Sequence, residues 1–400
     1  MSDSREQPLA GVTVVDLTQI YNGPYATYLM AMAGARVIKV EPPNGEHLRQ
    51  RGATSGAALP FAMLNGNKEA VTINLKNTRG RELLLQLAAR ADVLVENFAP
   101  GVLDRLKIGK NVLHERNPRL IYASGSGYGN DGPYRDYPAM DLTVQAMSGV
   151  MSVTGDPLGP PMKVGPAICD FFGGIHLYGA IATALFERER TGLGRSVEVS
   201  MMEAVYASLS SNLGLFYGSG GQVPMRTGNR HGGLSLCPYN VYPSNDGHIA
   251  IICNHETHWQ GLLRAMGRED LIADQRMASM NARVANMDMV DGMVASWTGQ
   301  HDKQSLFARL IKERVPCAPV RDLREVVADP HMHARGMLEE IDHPEFGAIT
   351  VARSPLRFDG SANVALRPSP RLGGDNAEIF SNWLGLSGAE VASLAAEGAI

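Results

Sequence analysis

The tightest constraint on the fold is an alternation that runs through the first half of the chain. Short runs of β-branched and aliphatic residues take turns with helix-length runs. Residues 12–17 (VTVVDL) make the first strand. Asn22-Gly23-Pro24 breaks it, and residues 25–34 are small and apolar enough for a buried helix. Residues 35–41 (ARVIKVE) form a second strand, 70–75 a third and 92–95 a fourth, with an amphipathic helix over 78–91. Residues 100–106 form a short helix with Pro near its start. Residues 120–124 and 195–200 (RSVEVS) are further strands, separated by the longest helix, 171–190, which Thr191-Gly192-Leu193-Gly194 ends. A helix follows over 201–216. Strands alternating with helices imply a parallel sheet covered on both faces, since parallel neighbours need a crossover connection. The fold class is therefore α/β with a parallel sheet.

The character changes at residues 217–233 (YGSGGQVPMRTGNRHGG), which are glycine-rich and polar and mark a domain boundary. Residues 239–253 read as a β-hairpin across Ser244-Asn245-Asp246-Gly247. Residues 258–315 are mostly helical. From 348 onward strands and turns return, ending in a helix over 388–397. At 400 residues the chain is too long for one ordinary core and suits two domains.

Composition removes several function classes. A net charge of −4 leaves no broad basic field for nucleic acid, so an anionic ligand needs a local cluster. The polar start, MSDSREQPLAG, holds no apolar signal core, and no uninterrupted run of 18 apolar residues occurs, so no membrane partner is expected. The 4 cysteines, Cys169, Cys237, Cys253 and Cys317, form no CxxC pair and read as reduced thiols of a cytoplasmic protein.

Few motifs carry chemistry. Gly127, Gly129 and Gly132 match GxGxxG after a strand, but Pro133-Tyr134-Arg135-Asp136-Tyr137-Pro138 follows where a dinucleotide loop needs a helix N-terminus. A loop that lets a ligand or strand approach closely is the reading preferred. His255 with His258, His331 with His333, and the single His176 and His231 lack a third ligand at metal-binding spacing, so no metal is expected. Asp170 directly precedes the longest helix. It reads either as a plain N-cap or as a carboxylate that the helix dipole keeps ionised for nucleophilic attack. Gly173-Gly174 one turn on removes the Cβ atoms that would block an approaching chain. Cys169 beside it has no evident His partner and reads as inert. Asp141, near the Pro138 turn, is a second carboxylate or a cap, and Asp16 with Thr18 caps the following turn.

From these residues the chain resembles the class III CoA-transferases, the family of formyl-CoA:oxalate and carnitine CoA-transferases, to which α-methylacyl-CoA racemase is related. The resemblance runs nearly end to end, through Leu9-Ala10-Gly11-Val12, Gly34-Ala35-Arg36-Val37-Ile38-Lys39-Val40-Glu41, Val95-Glu96-Asn97-Phe98-Ala99-Pro100-Gly101, Leu103-Asp104-Arg105-Leu106, the stretch 180–195 and Leu372-Gly373-Gly374. It implies a Rossmann-like large domain made from residues 1–215 and 331–400, a linker and smaller α+β domain over 216–330, and an interlocked homodimer. It places the family's nucleophile on Asp170, with a mixed anhydride and an aspartyl-CoA thioester as intermediates. Asn97, Phe98 and Arg105 would line the CoA track, with Lys76 a further candidate. Gly232 and Gly233, within residues 228–233, would form a flap that keeps water from the anhydride. No cofactor is implied; the CoA thioester is a substrate, exchanged with a small carboxylic acid.

Three departures refine the expectation. Tyr21 stands where the formyl-CoA enzyme carries Gln, and Arg51, with Arg49 nearby, where it carries a gating Trp. A guanidinium fork suits a second carboxylate, so the acid is expected to be a diacid such as succinate, malate, citramalate or mesaconate, with succinyl-CoA as donor. Met140 stands where the racemase carries a catalytic His, and a thioether takes no proton, which favours transfer over racemisation. Racemase, and a non-catalytic acyl-CoA binder, are the alternatives.

Overall fold

The computed structural model describes residues 5–51, 58–361 and 363–400. They fall into two compact units. The first comprises Met1–Ser148, Pro166–Val205 and Asp329–Ile400, the second Gly149–Gly165 and Tyr206–Ala328. The segment Gly149–Gly165, placed by sequence in the larger domain, clusters with the second unit.

The first unit is built on a six-stranded sheet of β1 (Thr13–Asp16), β2 (Arg36–Glu41), β3 (Glu69–Thr72), β4 (Val93–Glu96), β5 (Ile121–Ser126) and β6 (Ser196–Ser200). All pairings are parallel, in the order β3-β2-β1-β4-β5-β6. The order reverses between β1 and β4. At such a switch point the loops leaving the two strands turn opposite ways and open a crevice at the carboxyl edge.

Period-two alternation sends neighbouring residues to opposite cores. Val15, Ile38, Val71 and Leu94 face a core shared with Leu83, Leu84 and Leu87 of α2 (Thr78–Arg90). Val14, Val37, Val93, Ile121 and Ala123 face the other, shared with Ala26 and Met30 of α1 (Asn22–Met32) and Leu177, Ile181 and Leu185 of α5 (Ile168–Thr191). Two shorter helices, α3 (Val102–Arg105) and α4 (Asp141–Met147), follow β4 and β5. The C-terminal segment returns to this unit: Asp375 and Asn376 accept from the backbone of Ala70 and Thr72, and Ile379, Phe380 and Leu394 join the first core. Strand structure there begins at Leu338–His343, paired with Gly347–Ala352, ten residues before the sequence pattern suggests it.

Helix α5, by length and composition, is apolar enough to cross a membrane, with a hydropathy of 1.4 over its best stretch. The test of uninterrupted apolar runs passes over it because Asp170 and His176 interrupt the pattern. In the fold it packs against α1, β5 and β6. Gly173 and Gly174 do make room for a chain, and that chain is α1: a Cβ on Gly174 would lie 2.5 Å from the Asn22 carbonyl oxygen.

The second unit holds a three-stranded antiparallel sheet, Tyr239–Ser244, Gly247–Ile252 and Cys317–Pro319, with the expected hairpin turn between the first two. Helices Glu256–Met266, Met287–Thr298 and Lys303–Lys312 bury Trp259, Val290, Val294, Leu306 and Leu310 against it. Arg283 is wholly buried and is held by both Glu256 oxygens, at 2.8 and 2.9 Å.

Candidate active site

The loops at the switch point are fixed from beneath. Asp16 ends β1 with its carboxylate fully buried, accepting from Thr18 N, Thr18 Oγ1, Thr27 Oγ1 and Lys68 Nζ, the last at 3.0 Å. Burial alone would raise its pKa, but the Lys68 and Lys39 charges and the two hydroxyls outweigh this and hold it at about 2. The same burial pushes Lys68 down to about 8. Lys39 Nζ donates to Thr18 O at 2.9 Å, pinning the next turn. Asp16 thus caps that turn as expected, and also anchors a buried cation.

Above this floor Gln19 and Asn97 exchange two 2.8 Å hydrogen bonds, Gln19 N to Asn97 Oδ1 and Asn97 Nδ2 to Gln19 O. They stitch the β1 loop to the β4 loop. Ile20, between them, has φ +66°, a left-handed conformation that β-branched residues rarely adopt, so the surrounding contacts hold it there. Glu96 at the end of β4 accepts from Phe98 N and Tyr122 Oη. Its burial pushes its pKa up to about 7 despite those donors.

A cavity of about 810 Å³ opens over these loops, within the first unit. Its wall includes Asn22, Arg51, Asn97, Phe98, Arg105, Met140 and Asp170, six of which sequence reasoning singled out. Asp170 is 7% exposed and sits in the first turn of α5, two residues inside the helix rather than at its cap. Asp141 does the capping: its Oδ1 accepts from Cys169 N at 2.9 Å and Asp170 N at 3.3 Å, while Gln145 Nε2 donates to its Oδ2 at 2.7 Å. The expected lowering of the Asp170 pKa by the helix dipole is overturned. Burial, then the nearby Asp141 charge, push it up to about 7, against a hydrogen bond from the Asn22 backbone N–H. Near neutral pH, Asp170 is therefore a poorly solvated, partly ionised carboxylate. Cys169 is buried and its thiol is pushed up to about 12 by burial and by the two carboxylates, which leaves it inert.

Other expected site residues fall elsewhere. Arg49 is corrected: its guanidinium is bidentate to buried Glu41, donates to Pro370 O at 2.7 Å and lies 3.8 Å over the Phe61 ring, so no fork is left for a substrate. Lys76 is exposed beside α2 and is not among the cavity-lining residues. Tyr21 stacks on Phe171 with ring centroids 6.1 Å apart, bracing the residue next to Asp170. Gly232 and Gly233 belong to the second unit, where His231 Nδ1 accepts from Gly233 N at 3.2 Å.

The cavity also holds residues that sequence reasoning missed: Asn22, His47, Gln50, Tyr128, Arg135 and Tyr137. Arg105 and Arg135 both approach Gly101, their guanidinium nitrogens 3.3 and 3.4 Å from where a Cβ would sit, so they form a cationic pair beside α3. The run after Gly132 is loop up to Asp141, as its prolines suggest, and the signal overlooked was an Arg between two Tyr at the carboxyl edge of a sheet. Among the described residues no group of three His, Cys, Asp or Glu could hold a metal ion.

Residues 9–376 match CoA-transferase family III. The chain belongs to this family. It is 36% identical over 408 residues to the formyl-CoA:oxalate CoA-transferase of Streptomyces avermitilis, covering 98% of this chain and 99% of that one. It is 38% identical over 363 residues to the succinyl-CoA:mesaconate CoA-transferase of Haloarcula marismortui, covering 88% and 90%. The crystal structure of a CAIB/BAIF family protein from Brucella suis superposes with a TM-score of 0.83 at 34% identity, over 94% of this chain and 100% of that one. That superposition shows a fold shared over nearly the whole chain.

Proposed function

We propose that this family III CoA-transferase moves CoA from an acyl-CoA, such as succinyl-CoA, to a small dicarboxylic acid, with Asp170 as nucleophile. The observation that carries the reading is the Asp170 carboxylate itself, buried in the wall of a large cavity with no cationic partner among the causes that set its pKa. A carboxylate stripped of water and left without a counter-ion is a strong nucleophile.

The Asp170 oxygen attacks the thioester carbonyl carbon, the C–S bond breaks, and CoA leaves as thiolate. The resulting mixed anhydride is attacked at the Asp170 carbonyl carbon by that thiolate, and the donor acid leaves as carboxylate. The acceptor carboxylate then attacks the aspartyl-CoA thioester, and the steps reverse. In this reading Arg105 and Arg135, both in the cavity wall, take the CoA phosphates, and Arg51 takes the far carboxylate of the diacid. Two observations support the diacid: the Arg51 position in the cavity wall, and a relative that acts on mesaconate. Met140 at the cavity wall offers no proton acceptor for racemisation.

We place the chain in a homodimer. Ile175, Phe186 and Leu193 stand exposed in or just after α5, with Phe186 at 66%, and offer apolar side chains to a second copy. Light scattering on the purified protein tests this, and a monomer refutes it. For the reaction, the protein is incubated with succinyl-CoA and mesaconate or malate, quenched with hydroxylamine, and digested. A hydroxamate at Asp170 and a new CoA thioester are expected. CoA binding without either would make the protein a binder.

A further inference from the structure

The Asn22 side chain is unexplained by anything above. It is 3% exposed, it lies in the cavity wall, and neither its Nδ2 nor its Oδ1 has a hydrogen-bond partner among the described residues. An unpaired buried amide costs stability, so one in a native fold calls for a reason. The fold goes out of its way to house it. A Cβ on Gly173 would lie 2.1 Å from Nδ2, and a Cβ on Gly125 would lie 2.5 Å from Oδ1. Two elements, α5 and β5, thus omit side chains where the amide sits. Gly173 is three residues beyond Asp170, so both positions share one face of the helix. The Asn22 backbone N–H already donates to the Asp170 carboxylate.

We infer that the Asn22 side-chain amide is a second donor to the oxyanion that forms on Asp170 itself. The inference rests on the covalent reading above. When the CoA thiolate adds to the Asp170 carbonyl carbon, the C=O π pair moves onto the Asp170 oxygen. Collapse of that adduct re-forms the carbonyl and expels the donor carboxylate. The charged oxygen is carried by the protein and stays inside it, so its donors need no access from solvent. A donor that bonds nothing in the resting fold stabilises only the oxyanion that forms during the reaction, which is the condition for lowering a barrier.

The test compares wild type with Asn22→Ala and Asn22→Ser. Exchange of ¹³C-succinate into succinyl-CoA is followed together with the hydroxamate at Asp170, CoA affinity and Tm. In Asn22→Ala, exchange is expected to fall about 100-fold, as for loss of one oxyanion donor, with CoA affinity unchanged and Tm equal or higher. Asn22→Ser, which keeps an O–H donor, is expected to recover part of the rate. If Asn22→Ala exchanges within threefold of wild type, or loses several degrees of Tm, the inference fails while the covalent reading stands. If wild type gives neither exchange nor hydroxamate, the covalent reading falls and takes the inference with it.

Discussion

Asp16 and Asp170 are both aspartates, both buried, and both in the first unit, yet they are held at opposite ends of the carboxylate range, about 2 and about 7. Asp16 sits against Lys68 and two hydroxyls, all fully buried with it. Asp170 has a second carboxylate as its charged neighbour. The lesson is that burial alone does not decide what a carboxylate does. With a cation it becomes a structural clamp; without one it is left poorly solvated and only partly ionised, the state on which the proposed nucleophilic role depends.

The sharpest way to break this contrast is Asp170→Asn. Transfer is expected to fall by roughly 10⁴-fold or more, as when a covalent nucleophile is removed, measured by CoA exchange. The same variant should gain stability. A carboxyl whose folded pKa is raised from 3.8 to about 7 loses stability progressively as pH climbs between those values. The neutral amide is therefore expected to be more stable than wild type at pH 8, by up to about 4 kcal/mol, and no more stable at pH 4. Urea unfolding at the two pH values reads this.

Asp16→Asn should do the reverse. It leaves Lys68 buried and unpaired, at a cost of about 3–5 kcal/mol, and activity should follow stability rather than chemistry. The sign of the pH effect is opposite too. A carboxylate held at about 2 contributes stability above pH 4 that is lost progressively as pH falls from about 4 through 2, so wild type and variant should converge in strong acid.

A smaller effect sharpens the Asp170 side. Asp141→Asn keeps an oxygen for the α5 N–H groups but removes the like charge. The rising limb of the pH–rate profile, set near pH 7 by Asp170, is expected to move to lower pH by roughly one unit. The smallest effect concerns the cavity alone: Arg51→Ala is expected to raise KM for diacids about tenfold, with monoacids unchanged, since one guanidinium–carboxylate contact is at stake.

The sheet was legible in the sequence because burial on both faces favours short, largely apolar runs, which the buried strands β1 to β5 supply, while the edge strand β6 shows the alternating pattern SVEVS. Asp170 was legible only as a residue beside a long helix. Its place in the helix is set by Asp141, 29 residues earlier in the chain, a capping contact that no local pattern encodes. Arg49 and Arg51 look alike in sequence. Glu41 and Phe61 claim the first, and only the second lines the cavity.

By itself, then, the sequence determined the α/β layering, the family and the identity of the nucleophile candidate. Those depend on periodicity and on residues in order along the chain. What only the tertiary structure decided is the charge state of Asp170, the commitment of Arg49 and the unpaired amide of Asn22. Each of these depends on which group from a distant segment comes within a few ångströms, because desolvation and Coulomb interaction act through space rather than along the backbone.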